Sequence, residues 1–126
     1  MKVSQELREI FPDGVFPQAC PSRTVLDHVT SKWGVLVLLA LSEGEPLRWS
    51  ELRRRAQGVS EKMLAQTLRT LEGDGLLLRD ARPVVPPHVE YSLTPLGAEL
   101  AERVVPLMQW IATHADGIVG SAPDRG

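Results

Sequence analysis

The chain lacks a second cysteine. Cys20 stands alone, which excludes an internal disulfide framework and a cysteine cluster for structural zinc. It also lacks a long hydrophobic run: Gly34–Leu41 is the main apolar stretch, and eight residues fall far short of the roughly 20 that span a bilayer. Met1–Ile10 alternates charge and polarity without an apolar core of the secretory kind, so the chain reads as cytosolic, with no membrane partner. No phosphate-binding glycine loop is present. His28, His88 and His114 are scattered without metal-ligand spacing to Asp or Glu, and no Ser, His and Asp grouping stands out locally. Enzyme, cofactor and metal readings therefore have little behind them. Finally, the chain lacks positive charge: 14 Lys+Arg against 16 Asp+Glu give −2. Basic charge is the usual footprint of a nucleic-acid binder, so the whole-chain figure argues against one. What remains is an ordinary globular composition, 43% hydrophobic and 24% charged, over 126 residues, enough for one domain with its own core.

Periodicity and punctuation give the elements. Residues 1–19, with Pro12, Gly14 and Pro17, read as an N-terminal arm; residues 116–126 read as a flexible tail. Ser22 is placed to cap a first helix ending near Val29, with Val25, Leu26 and Val29 at helical spacing. A second helix, Ser31–Ser42, is apolar nearly all round and so is a buried central helix; Gly44 and Pro46 end it. Leu47–Trp49 reads as a very short strand. Ser50 then caps a third helix, Glu51 to about Gln57, and Gly58 supplies a turn. Ser60 caps a fourth helix, Glu61–Glu72, closed by Gly73. Leu76–Arg82 and His88–Leu93 read as antiparallel strands joined by a loop stiffened by Pro83, Pro86 and Pro87. Thr94 caps a long fifth helix, about 95–114, with Pro95 at its first position. The order predicts a mainly α fold with a small antiparallel β-hairpin: a winged helix-turn-helix over residues 20–115, ending in a long C-terminal dimerisation helix.

On the fourth helix, Leu64, Leu68 and Leu71 fall on one stripe and must face the core. Lys62, Gln66 and Arg69 fall opposite, flanked by Met63 and Thr70. Arg or Lys pairs with guanine and Gln with adenine, while Ser60 and the free N–H groups of the first turn suit a phosphate. Any soluble helix shows a polar outer face, so this face alone decides little. Its surroundings add weight: Arg48, Arg53, Arg54 and Arg55 before it, and Arg79, Arg82 and His88 on the hairpin. Residues 48–82 carry eight basic and five acidic side chains, a local balance of +3, leaving −5 on the rest. A +3 patch is modest; a second copy doubles the counterion-release term.

These stretches resemble the HxlR-type transcriptional regulators, a bacterial winged-helix family, over about residues 20–112. The resemblance rests on Cys20-Pro21; on Ser31-Lys32-Trp33, where the family pattern has glycines before Lys-Trp; on Arg48-Trp49-Ser50-Glu51-Leu52, with Trp for the usual Phe; on Gly58–Arg79; and on Pro86-Pro87-His88-Val89-Glu90-Tyr91-Ser92-Leu93-Thr94 with Leu96-Gly97. The hairpin departs from the pattern at Arg82, where an aromatic is usual, and at His88, where a firm cation is common. The resemblance implies a DNA-binding homodimer that represses or activates genes on double-stranded DNA in the bacterial cytoplasm. Some members that look like this sequence use an N-terminal cysteine to sense oxidants or quinones, which makes Cys20 a redox-sensing candidate.

On the residues themselves, Cys20 precedes a helix and lies near Arg23, and both features favour the thiolate. The competing reading is a small buried hydrophobe. The fifth helix has Leu100, Val104, Leu107 and Ile111 at steps of 4, 3 and 4, a heptad seam suited to a dimer interface; Leu96, Met108 and Trp110 widen its apolar surface, and Pro106 should kink it. Trp33, Met108 and Trp110 are candidates for a small-molecule effector pocket between the second and fifth helices, against the plainer reading of core packing. Glu90 reads as structural, pairing with an arginine of the domain. The rival to DNA recognition is a winged helix that binds protein without DNA specificity; such modules tend to lose the basic outer face that Lys62, Gln66 and Arg69 keep here.

Overall fold

The capping residues and the glycine turns cut the chain into helices mostly too short to be stable alone, so packing must hold them. The computed structural model describes Glu9 and residues 20–120. Apart from Glu9, the expected arm lies outside the described residues, as does the end of the expected tail. The elements are α1 (Pro21–Val29), α2 (Lys32–Leu41), α3 (Trp49–Arg55), α4 (Glu61–Gly73), β1 (Leu77–Arg82), β2 (His88–Leu93) and α5 (Pro95–Gly120). Residues 20–120 thus form the predicted winged helix-turn-helix, with five helices and one hairpin.

The centre is α2. Every residue after Lys32 is buried or half-buried, and Val37, Leu38 and Leu41 are at most 1% exposed. Around it pack Leu52 of α3, Leu64, Leu68 and Leu71 of α4, Leu77 and Tyr91 of the hairpin, and Leu100 and Val104 of α5. Truncating a leucine here to alanine costs about 2–5 kcal/mol, because the cavity adds to the lost transfer energy. In contrast, α1 buries none of its residues fully, and Val25 is about half exposed.

Several boundaries differ from the sequence reading. Cys20, not Ser22, is the N-cap residue of α1, and Pro21 opens the helix; proline's fixed φ suits that first position and outweighs the serine. Ser31 caps α2, its hydroxyl accepting from the Gly34 amide at 3.1 Å. The expected strand at Leu47–Trp49 shrinks to one bridge, Leu47 to Tyr91. Trp49 already begins α3, and Ser50 lies inside it; the helix entry is held instead by the Arg48 amide donating to Glu51 Oε1 at 3.1 Å. The close of α4 falls two residues later than expected, at Gly75 with φ 78°, while Gly73 is still helical. The last helix runs to Gly120, beyond the expected end near 114, so residues 116–120 are helix rather than tail.

The hairpin pairs Leu77 with Leu93 through to Arg82 with His88. It is bound tightly to the start of α5. The Thr94 hydroxyl donates to Gly75 O at 2.6 Å and accepts from the Gly97 amide at 3.0 Å, and the Thr94 amide donates to Leu76 O at 3.1 Å. A Cβ on Gly97 would lie 2.0 Å from Leu76 O, so only glycine lets α5 approach this closely. Among the described residues no single helix is long and apolar enough to cross a membrane.

Candidate nucleic-acid interface

The turn between α3 and α4 contains Gly58 at φ 91°, a conformation that other residues adopt at a cost. It brings the two helices together as a helix-turn-helix. Ser60 caps α4, its hydroxyl accepting from the Met63 amide at 3.1 Å. Leu64 and Leu71 are fully buried and Leu68 nearly so, which fixes the rotation of the helix. That rotation turns Lys62, Gln66 and Arg69 outward, all exposed, with Met63 exposed and Thr70 half-buried beside them. Met63, Gln66 and Thr70 also line a groove shared with Asp27, His28 and Ser31 of the α1 region.

The cations around this face are of two kinds. Among the described residues Arg48, Arg54, Lys62, Arg69 and Arg79 are exposed and their side chains make no ion pair. Others are occupied: Arg53 lies 3.2 Å from Glu61 and Arg55 lies 3.1 Å from Glu43. On the wing, Arg82 lies 3.5 Å from Glu90 and 3.6 Å from Asp80, and His88 Nε2 lies 3.1 Å from Glu90 Oε2. The register puts Asp80, Arg82, His88 and Glu90 on one hairpin face, since Asp80 pairs with Glu90 and Arg82 with His88. Glu90 thus pairs with an arginine, as its sequence context suggested. Counting charges along the chain missed this neutralisation, because Glu43 and Glu90 lie outside residues 48–82.

One link had no signal in the sequence. His28 Nδ1 of α1 meets Asp74 Oδ2, the C-cap residue of α4, at 2.7 Å. The two residues lie 46 positions apart, too far for a local pattern to connect them.

Cys20 is half-buried at the α1 N-terminus. Hydrogen bonds from the Ser22 hydroxyl and the Ser22 amide hold its thiol below the usual thiol value, and the Arg23 amide adds to this. The expected help from Arg23 therefore comes through its backbone.

The expected seam on α5 divides. Leu100 and Val104 pack on their own core, whereas Leu107 and Ile111 are exposed, together with Trp110, Ile118 and Val119. Two of the three residues expected to line a pocket make other contacts. Trp33 sits against the Gly58 turn with Lys32 Nζ 4.5 Å over its ring, and exposed Trp110 stacks on His114 at 4.4 Å. The cleft between α2 and α5 is lined by other residues, including Leu93, Ala101 and Glu102.

Comparison with known proteins agrees with this architecture. The family described as HxlR-like helix-turn-helix matches residues 28–118. The chain is 54% identical over 125 residues to YtfH, an HTH-type transcriptional regulator of Escherichia coli, covering 99% of this chain and 96% of that one. Its structure resembles that of the transcriptional regulator ytfH from Salmonella typhimurium, with TM-score 0.79 and 55% identity over 85% of this chain and 95% of the other. It also resembles the redox regulator HypR in its oxidized form, with TM-score 0.68 and 35% identity over 75% and 96% of the two chains.

Proposed function

The chain belongs to the HxlR-like helix-turn-helix family of transcriptional regulators, and from that premise we propose that it is a sequence-specific DNA-binding regulator working as a homodimer. In this reading α4 enters the major groove and the hairpin lies on the adjacent backbone or minor groove of a pseudo-palindromic operator. The observation that carries it is the division of α4: one face is locked in the core by Leu64, Leu68 and Leu71, while the other presents Lys62, Gln66 and Arg69 free to solvent. Arg48, Arg54 and Arg79 supply backbone contacts. Capture and sequencing of genomic fragments from the source bacterium tests the reading. Enrichment of a shared pseudo-palindrome supports it; recovery of random sequence at every salt concentration refutes it.

Two features support the dimer. The outer half of α5 leaves Leu107, Trp110 and Ile111 about half exposed, and α1 leaves Val25 exposed beside Leu96. Such exposed apolar surface asks for cover. Two-fold pairing sets the two α4 helices about 34 Å apart, one DNA turn. Light scattering at micromolar concentration should give twice the chain mass, and Leu107→Asp should return it to one. A monomer for the unaltered protein would refute the pairing.

Cys20 is the proposed oxidant sensor, on the strength of its lowered thiol and the likeness to a redox regulator. A lowered thiol value means that thiolate persists to lower pH. Alkylation of Cys20 should therefore be faster near neutral pH than for a free cysteine, and Ser22→Ala should move the rate profile to higher pH. Diamide should weaken operator binding in the unaltered protein and leave Cys20→Ser unaffected; equal responses would remove Cys20 from this role.

A further inference from the structure

We propose that the cleft between the end of α2 and the middle of α5 binds a small organic ammonium ion with an apolar body. The cleft measures about 550 Å³, within the range of small-molecule sites. Leu93, Ala101, Val105 and Pro106 form apolar walls, and Ser42 and Glu102 stand among them. Among the described residues no Lys, Arg or His lines it, so an anion finds no counter-charge there.

Its polar groups are acceptors. Ser42 closes α2, and both its amide and its hydroxyl donate back to Leu39 O, at 3.2 and 2.6 Å. Those donors are spent, while the negative end of the α2 dipole remains at the cleft. Glu102 is exposed on α5, and its carboxylate has no ion-pair partner among the described residues. Pro106 has no N–H, so the Glu102 carbonyl four residues earlier loses its regular helical donor. An unpaired carboxylate, a freed carbonyl and a helix C-terminus beside an apolar wall together complement one chemistry: a cationic donor on a hydrophobic group. The site shares no residue with the outer face of α4, and its test contains no DNA, so it stands or falls apart from the DNA reading.

The probe is benzylamine, titrated into the ¹⁵N-labelled full chain. Saturable amide shifts are expected at Gly44, Ala101, Glu102 and Val105. Benzyl alcohol, of the same shape without the charge, should bind about tenfold more weakly, and Glu102→Gln should weaken benzylamine by a similar factor, the loss of one charge-assisted hydrogen bond. Benzoate should not bind. The proposal is overturned if benzylamine gives no saturable shifts at these amides, if benzyl alcohol or benzoate binds as well, or if Glu102→Gln leaves the affinity unchanged.

Discussion

The fourth helix and the hairpin both carry basic side chains, yet they hold them differently. On α4, Lys62 and Arg69 have no acidic partner among the described residues and stand on a helix whose rotation is fixed by three buried leucines. On the hairpin, Arg82 and His88 share their face with Asp80 and Glu90 and lie within 3.6 Å of those carboxylates. Free, rigidly placed donors suit the reading of bases, where geometry carries the information. Neutralised donors suit a looser grip that must first give up an internal partner. In the proposed reading, this difference puts specificity on the helix and leaves the wing held in check by its own acids.

This contrast can be broken by measurement. The largest effect is expected for Arg69→Ala or Gln66→Ala, which should weaken the specific site by roughly 1–3 kcal/mol while changing random DNA less; equal loss on both would mean that these side chains hold only phosphate. Arg54→Ala should come next, lowering affinity for all sequences alike and reducing the salt slope by about one unit. Glu90→Gln should act in the opposite direction: releasing Arg82, it should raise affinity for any DNA and steepen the salt dependence slightly, since exposed ion pairs are worth about 0–1 kcal/mol. A fall in affinity would show that Glu90 positions the wing instead. Arg53→Ala should matter least, because Arg53 already faces Glu61; if it matched Arg54→Ala, ion pairing would not be what decides which cations contribute.

Local signals carried the fold well. Ser60, Gly58, Thr94 and the 3.6-residue spacing of Leu64, Leu68 and Leu71 act within one or two turns, so the sequence shows them directly. Boundaries slipped where two local preferences competed, as Pro21 did against Ser22, and where a strand partner was needed, as for Leu47. The outward face of α4 was legible for the same reason as its core stripe: fixing one fixes the other. The pairing of Arg55 with Glu43, of Arg82 with Glu90 and of His28 with Asp74 was harder to see, because these contacts depend on tertiary proximity. Glu90 was read as an arginine's partner, but its cost to the wing's charge was not. Apolar periodicity says which residues seek cover and not which ones meet, so the contacts of Trp33 with the Gly58 turn and of Trp110 with His114 are not legible in the sequence.

The close seating of Gly97 on Leu76 has a mechanical meaning in the proposed pair. With Thr94 bonded to both sides of that junction, the end of α4, the hairpin and the root of α5 have no joint between them. Two such rigid arms crossing at their outer α5 halves would behave as calipers. A small change in the crossing angle near Trp110 would be magnified along each arm and read out as a change in the gap between the two DNA-facing helices. Gly97→Ala would loosen the rivet rather than the jaws, and would blur that gap without touching a single DNA-facing side chain.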